Sequence, residues 1–413
     1  MVIIDNLSKS DTQLLSLISS TYKLFGLAPV SVREYPTYRN HKKEIAIEFT
    51  STSSALIINS LGLLILLPFE VFYLYGKFTK DLEEESRLRH HFDIFFRINV
   101  IFIQILLILI FSIKRREIAG ILNSLLSFES ELVRNLRDLD QLHTGQHHQL
   151  AIFTAYLLIS SVLLFNKLMV QDTLQAVANV LPKFVIRNLM IQYSILLIFI
   201  KKKYFSLNES LLVLTNRSGQ LCYPFISKID PPSEETVLDF VVFIRKSYYS
   251  LSGISNSIAQ FYSVTILVSL LYYCLGAIYV GYLFVSSIRD YLVDKTGGKI
   301  PDCIDHGLLF ITCIYPTVIL ANSVTAVLEE IKRTSKIIYQ LASVYSKNTG
   351  ISYELEQFSM ELFHQNVSFS AFEMVPLDNS RLTSVFNMML TYIIILLQTD
   401  VRQGVGRQEF IKN

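Results

Sequence analysis

The stretch Val385-Phe-Asn-Met-Met-Leu-Thr-Tyr-Ile-Ile-Ile-Leu-Leu397, with Ser384 before it and Gln398 after it, decides how this chain is read. It is an almost unbroken apolar run. With its flanks, from Leu382 to Thr399, it approaches the roughly 20 residues a helix needs to cross a bilayer. At roughly 100° per residue its polar members, Ser384, Asn387, Thr391 and Gln398, fall within about 60° of helix circumference. The other positions are Phe386, Met388, Met389, Leu390, Ile393, Ile394, Ile395, Leu396 and Leu397. A helix that crosses a membrane and still faces water is written this way. The same stripe also suits interhelical hydrogen bonds inside a membrane bundle, and the stripe alone leaves both readings open.

The composition around this run is that of a membrane protein. Hydrophobic residues make up 51% and charged residues 17%, well under the quarter usual in soluble domains. Mean hydropathy is positive. There is no Trp, so an aromatic belt must be built from Tyr and Phe. The formal net charge of +2, with no basic patch interleaved with aromatics, argues against nucleic acid as a partner. Cys222, Cys274, Cys303 and Cys313 form no CxxC pair, which speaks against a disulfide framework or a zinc site. Met1–Ser10 contains Asp5 and no long apolar stretch. The first span is therefore expected to direct insertion.

Seven stretches are long and apolar enough to span: near Ser54–Tyr75, Ile94–Ile113, Leu150–Val170, Val185–Ile200, Phe261–Val285, Leu308–Val327 and Leu382–Thr399. The first contains Pro68 and Glu70, the second Arg97 and Gln104, and the fourth Arg187 and Gln192. Seven spans put the termini on opposite sides. Lys114–Arg116 follows the second span and Lys201–Lys203 the fourth, and such clusters mark the cytoplasmic face. The N-terminus is thus expected inside and the C-terminus outside. Lys77, Lys80, Arg87 and Arg89 in the first outer loop weaken the bias, but Asp81, Glu83, Glu84 and Glu85 offset them. Asn6, Asn208, Asn216 and Asn366 each open an N-x-Ser sequence. All four fall on the side assigned to the cytoplasm, and would carry sugar only in the inverted arrangement.

The expected organisation is a single membrane domain. Residues 1–53 form a cytoplasmic N-terminal segment, and 54–327 hold spans one to six with the ligand-pocket helices. Residues 328–380 form cytoplasmic anchor helices, 381–400 the last helix and 401–413 an extracellular tail. The amphipathic runs Thr236–Tyr249, Leu328–Tyr345 and Tyr353–Phe363 read as helices extending below the membrane. No internal repeat supports a transporter of inverted halves.

No P-loop, GxGxxG, HExxH or GxSxG sequence occurs, so no enzyme and no cofactor is expected. His90–His91 and His147–His148 read as solvated pairs, because adjacent residues do not share a helix face. Glu70 and Arg97 lie at similar depth in their spans. An intramembrane charge costs about 2.5–3.5 kcal/mol on insertion scales. The two either pair with each other or line a hydrated ligand cavity.

In the last span, Thr391-Tyr392, five apolar residues and Gln398 resemble the C-terminal signature of insect gustatory receptors. Val367-Ser-Phe-Ser-Ala-Phe372 and Pro376-Leu-Asp378 are similar to the turn before that family's last helix, and Tyr22-Lys-Leu-Phe-Gly-Leu-Ala-Pro29 to its N-terminal segment. The resemblance implies an all-α membrane protein of seven helices that assembles as a homo- or heterotetramer. It implies a tastant-gated non-selective cation channel in the plasma membrane of sensory neurons. Ser384, Asn387, Thr391, Gln398 and Asp400 would then line the pore. Glu373 stands where many relatives have Gly. Ile393 and Thr399 replace the Glu and Phe of the family's sugar receptors, which points toward bitter or other non-sugar chemicals governing avoidance or acceptance. A small-molecule tastant is expected among the outer halves of spans three to six. Ser160, Ser161, Gln192, Tyr193, Tyr272, Tyr273, Tyr279, Tyr282, Phe310 and Tyr315 are candidates there, with Glu70 and Arg97. The alternatives are a G-protein-coupled receptor and a small-molecule transporter. The first would carry Asp-Arg-Tyr after span three and Asn-Pro-x-x-Tyr in span seven; neither is found.

Overall fold

The computed structural model describes residues 2–3, 30–39, 42–51, 87–135, 173–217, 234–293 and 300–412 except 366 and 373. It also describes positions 68, 71, 151, 154, 155, 158, 160–163 and 165. In chain order the elements are β1 (Val2–Ile3), β2 (Val30–Arg39), β3 (Lys42–Ser51), α1 (Arg87–Ile113), α2 (Arg115–Asn135), α3 (Thr173–Arg217), α4 (Glu234–Val293), α5 (Ile300–Val344) and α6 (Thr349–His364), followed by β4 (Ser370–Ala371), β5 (Val375–Pro376) and α7 (Asn379–Lys412).

Among the described residues five helical segments have the length and apolarity to cross a membrane: Ile94–Ile113, Lys183–Leu214, Glu235–Arg289, Cys303–Val344 and Asn379–Thr399. They contain the expected second, fourth, fifth, sixth and seventh spans. The expected first span lies outside the described residues except for helical Pro68 and Val71, and the third is described only at scattered helical positions.

Spans and their cytoplasm-assigned extensions are continuous helices. Thr236–Tyr249 and the fifth span belong to one helix of 60 residues, α4. At about 1.5 Å rise per residue it is about 90 Å long, three times the ~30 Å hydrocarbon thickness. The sixth span runs without a break into Leu328–Val344. A change in surface polarity along a helix alters its surroundings, not its hydrogen-bond ladder. The last helix likewise continues to Lys412, through residues expected as a tail.

Two elements were not expected. Helix α2 follows Lys114 directly and buries Ile118, Leu125, Phe128 and Leu132, one face of a helix. The N-terminal segment holds an antiparallel sheet of order β1-β3-β2, with Val30 opposite Ser51 and Arg39 opposite Lys42. Pro36 is in β2, an edge strand, where its missing N–H is tolerated. In β3, Ile45, Ile47 and Phe49 alternate with Glu44, Ala46 and Glu48. Asn123 of α2 holds the sheet: its Nδ2 donates to the Phe49 carbonyl and its Oδ1 accepts from the Phe49 N–H, both at 2.9 Å.

Helix α3 is central: 72% of its apolar span is buried, against 11% for that of α7. Its end beyond Lys201, here the basic end, carries a set of buried and part-buried polar clasps. Lys203 Nζ donates to Glu129 Oε1 of α2 at 2.5 Å, with both side chains buried. Asn208 Nδ2 donates to the Glu330 carbonyl (2.9 Å) and to Glu330 Oε2 (3.1 Å), and its Oδ1 accepts from Thr334 Oγ1 (2.7 Å). Arg333 pairs with Glu209 at 2.7 Å. Arg245 ties α4 to Glu354, Gln357 and Glu361 of α6. Asn208 is thus fully buried, with both ends of its amide engaged, and has no room for a glycan. The other N-x-Ser sites differ: Asn6 and Asn366 lie outside the described residues, and Asn216 is in the last turn of α3.

The buried ion pair makes a specific prediction. Glu129→Ala strands Lys203 and is expected to lower stability by about 3–5 kcal/mol, whereas Glu129→Leu with Lys203→Met is expected to be neutral or stabilising. Unfolding midpoints of the purified full-length protein in detergent check both; an unshifted midpoint for Glu129→Ala contradicts the pairing.

Candidate functional site

The last helix is set by the short hairpin before it. Phe369, Ala371 and Leu377 are buried anchors. Ala371 pairs with Val375 and Ser370 with Pro376, and the Leu377 N–H closes the unit on the Phe369 carbonyl at 3.2 Å. Phe372 sits at φ 53°, left-handed and uncommon for a bulky residue. Its N–H donates to Ser263 Oγ of α4 at 2.8 Å. Asp378 then caps α7, its Oδ1 accepting from the Arg381 N–H at 3.0 Å, as an N-cap carboxylate does. Asn379 fixes the start of α7 to α5: its N–H donates to Thr325 Oγ1 (3.0 Å) and its Nδ2 to Asn322 Oδ1 (2.9 Å). The Val367–Phe372 and Pro376–Asp378 sequences are therefore parts of one joint.

Beyond that joint α7 touches its own protomer along a narrow seam. Met389 and Ile393 are its buried side chains among those described. Ile393 enters a notch in α4 at Gly281, where an added Cβ would lie 2.7 Å from Ile393 Cδ1 and 3.0 Å from Phe310 Cε2. The seam is roughly 160° around the helix from the polar stripe. Ser384, Asn387, Thr391 and Gln398 are all exposed and turned away from the bundle. Thr391 Oγ1 donates to the Asn387 carbonyl at 3.0 Å and Ser384 Oγ to the Ser380 carbonyl at 3.4 Å. Among the described residues none of the four side chains bonds to another helix, so the interhelical alternative is not realised within one copy. Tyr392 is exposed on the flank of the stripe. Asp400 is a helical residue whose side chain lies outside those described.

The expected ligand residues divide. Tyr272, Tyr273 and Tyr279 of α4 are buried and meet α1 in an aromatic group. Phe96 lies 5.2 Å from Tyr279 and 6.3 Å from Tyr272, and Phe92 stacks on Tyr279 at 5.2 Å. Tyr193 stacks on Tyr262 deeper in the core, at 4.8 Å. Tyr315 packs instead against Ile191 and Ile195. Phe310 stacks on Phe284 beside the Gly281 notch. Ser160 is buried and Ser161 exposed. Gln192, Tyr282 and Arg97 are partly buried, and Glu70 lies outside the described residues. One residue that the candidate set omits belongs with the aromatic group: Arg187, 2% exposed. Its charge inside a span is visible in the sequence; the lack of a hydrogen-bond partner for its buried Nη1 is not.

These features define a helical membrane protein with an aromatic, partly polar interior and a detached last helix. The chain belongs to the 7tm chemosensory receptor family, whose model matches residues 15–403. Its fold is similar to that of the insect olfactory receptor OR5 from Machilis hrabei, with a TM-score of 0.66 at 13% identity over 94% of this chain and 98% of that one. The same receptor in complex with eugenol gives 0.67 at 14%, with equal coverage. No curated protein sequence matches the chain.

The Gly281 notch is testable. Gly281→Val is expected to destabilise by about 1–3 kcal/mol through overpacking. Adding Ile393→Ala is expected to cost less than the sum of the single changes, because the two sites touch. Strict additivity of the unfolding midpoints would show that Ile393 does not occupy the notch.

Proposed function

We propose that this chain is a gustatory receptor, a subunit of a tetrameric cation channel opened by a small-molecule tastant. The observation that carries this reading is the orientation of the last helix. It turns Ser384, Asn387, Thr391 and Gln398 away from its own bundle, while its buried side chains among those described, Met389 and Ile393, lie on the opposite face. Polar groups within a span require a partner or water, and an aqueous axis shared by several copies supplies water. Asp400 follows near the outer mouth, where a ring of carboxylates favours cations.

Assembly has separate support at the basic end. Tyr339, Tyr353, Met360 and Phe363 are exposed on α5 and α6, and large exposed apolar groups together mark an interaction surface. In this reading they meet the same elements of neighbouring subunits. Lys114–Arg116 and Lys201–Lys203 put this end in the cytoplasm, and the burial of Asn208 weakens the case its N-x-Ser sequence made for the inverse. Ligand access is to the aromatic group of α1 and α4. A solved relative of the same fold holds eugenol, a small organic molecule. Ile393 and Thr399, in the places of the sugar-receptor Glu and Phe, favour bitter or other non-sugar compounds. Gating follows because a ligand shifts a closed–open equilibrium only through its different affinities for the two states.

Gln398→Ala is expected to change single-channel conductance or resting leak while surface expression persists; unaltered patch-clamp currents would contradict the pore assignment. Epitope tags on intact cells test sidedness, with the C-terminal tag expected to be accessible and the N-terminal tag protected. The opposite pattern would favour a G-protein-coupled receptor.

A further inference from the structure

Arg187 is the largest fully buried side chain described. Its Nε donates to the Lys183 carbonyl at 3.1 Å, and its Nη1 is shut off from solvent with no hydrogen-bond partner. No carboxylate lies within ion-pair distance of it among the described residues. The charged group one helical turn away is Lys183, of the same sign, and both cations lie within electrostatic reach of Cys313. Next along α3, Asn188 is fully buried and its Oδ1 also lacks a partner. An arginine does not shed its proton in a protein, and removing one partner's worth of compensation from a buried charge costs several kcal/mol. Among the described residues this site is therefore incomplete, and an anion is the group that would complete it.

The surroundings give the anion its shape. Tyr273 OH donates to the same Lys183 carbonyl at 3.4 Å, which places Arg187 beside the α4 tyrosines. Cys313 and Phe96 both approach Gly276, where a Cβ would lie 4.0 and 3.9 Å from them. Cys313 thus links the guanidinium, which lies within its electrostatic reach, to the aromatic group built on Phe96, Tyr272 and Tyr279. Planar rings next to a forked donor match a small acid with an apolar body: the carboxylate accepts from the guanidinium and the ring or chain lies on the aromatics.

We propose that Arg187 is a ligand-recognition residue and that the receptor responds to small carboxylic acids with an aromatic or aliphatic body, read as the carboxylate anion. This rests on the small-molecule reading above and narrows it to one ligand class.

The test uses purified full-length protein in detergent, with thermal stabilisation as the readout so that binding is scored apart from current. Probes are benzoate and hexanoate, their neutral amides benzamide and hexanamide, and sodium chloride and inorganic phosphate. The acids are expected to act at concentrations about tenfold to a hundredfold below their amides, the scale of a charge-assisted hydrogen bond. Arg187→Gln is expected to abolish that difference, while Arg187→Lys, which keeps a cation at the site, restores part of it. Should Arg187→Gln fail to fold, the wild-type acid-to-amide ratio decides. Equal potency of acid and amide, full stabilisation by chloride or phosphate alone, or no stabilisation by either acid would each overturn the proposal. Acid binding with no evoked current would leave it standing and count against the channel reading instead.

Discussion

The last helix leans on its own protomer along a single seam, Ile393 seated at Gly281 with Met389 one turn before it. That seam is narrow because the opposite face is committed elsewhere. A helix packed on two or three sides would have to surrender its polar stripe to its neighbours. By removing a side chain from α4 at one position, the chain lets α7 approach closely enough to hold with very little surface. Everything proposed about conduction depends on that economy of contact: the face carrying Asn387 and Gln398 is available only because the other face suffices.

The rest of the molecule is fastened quite differently. At the basic end the helices are joined by buried or part-buried, directional bonds: Lys203 to Glu129, Asn208 to Glu330 and Thr334, Arg245 to Glu354 and Gln357. Removing a partner from such a pair is costly in a way that trimming an apolar contact is not, so this end keeps one arrangement. Toward the opposite end, aromatic stacking and apolar packing dominate, and Arg187 Nη1 and Asn188 Oδ1 are buried without a hydrogen-bond partner. Rigid where subunits are proposed to meet and unfinished where a ligand is proposed to enter, the bundle has its specificity where its own bonding stops.

Much of this was legible in the sequence. The apolar runs at Ile94–Ile113 and Leu382–Thr399 lie inside the helical segments found, because a membrane span is fixed by length and apolarity alone. The polar stripe of α7 could be read from a 3.6-residue period, and the same signal is present in α2 at Ile118, Leu125 and Leu132. The joins between spans and extensions were not legible, since Thr236–Tyr249 changes polarity without changing helix propensity. Nor was the N-terminal sheet: its edge strand β2 contains Pro36 and charged residues, and the pairing of β1 with β3 is non-local. The Gly281 notch and the stranded Arg187 depend on which side chains other helices bring. No single segment encodes that.

The joint ahead of α7 has a mechanical corollary. Asn379 is bonded to α5 at Asn322 and Thr325, and Phe372 to α4 at Ser263, so the near end of the helix is pinned and any tilt of the helix would turn about that end. With about 1.5 Å of rise per residue, Gln398 is roughly 28 Å from the pin, and a tilt of about 5° sweeps it sideways by about 2.5 Å. In the proposed tetramer, an angular change too small to disturb the fulcrum would therefore alter the width of an aperture ringed by four such arms by several ångströms.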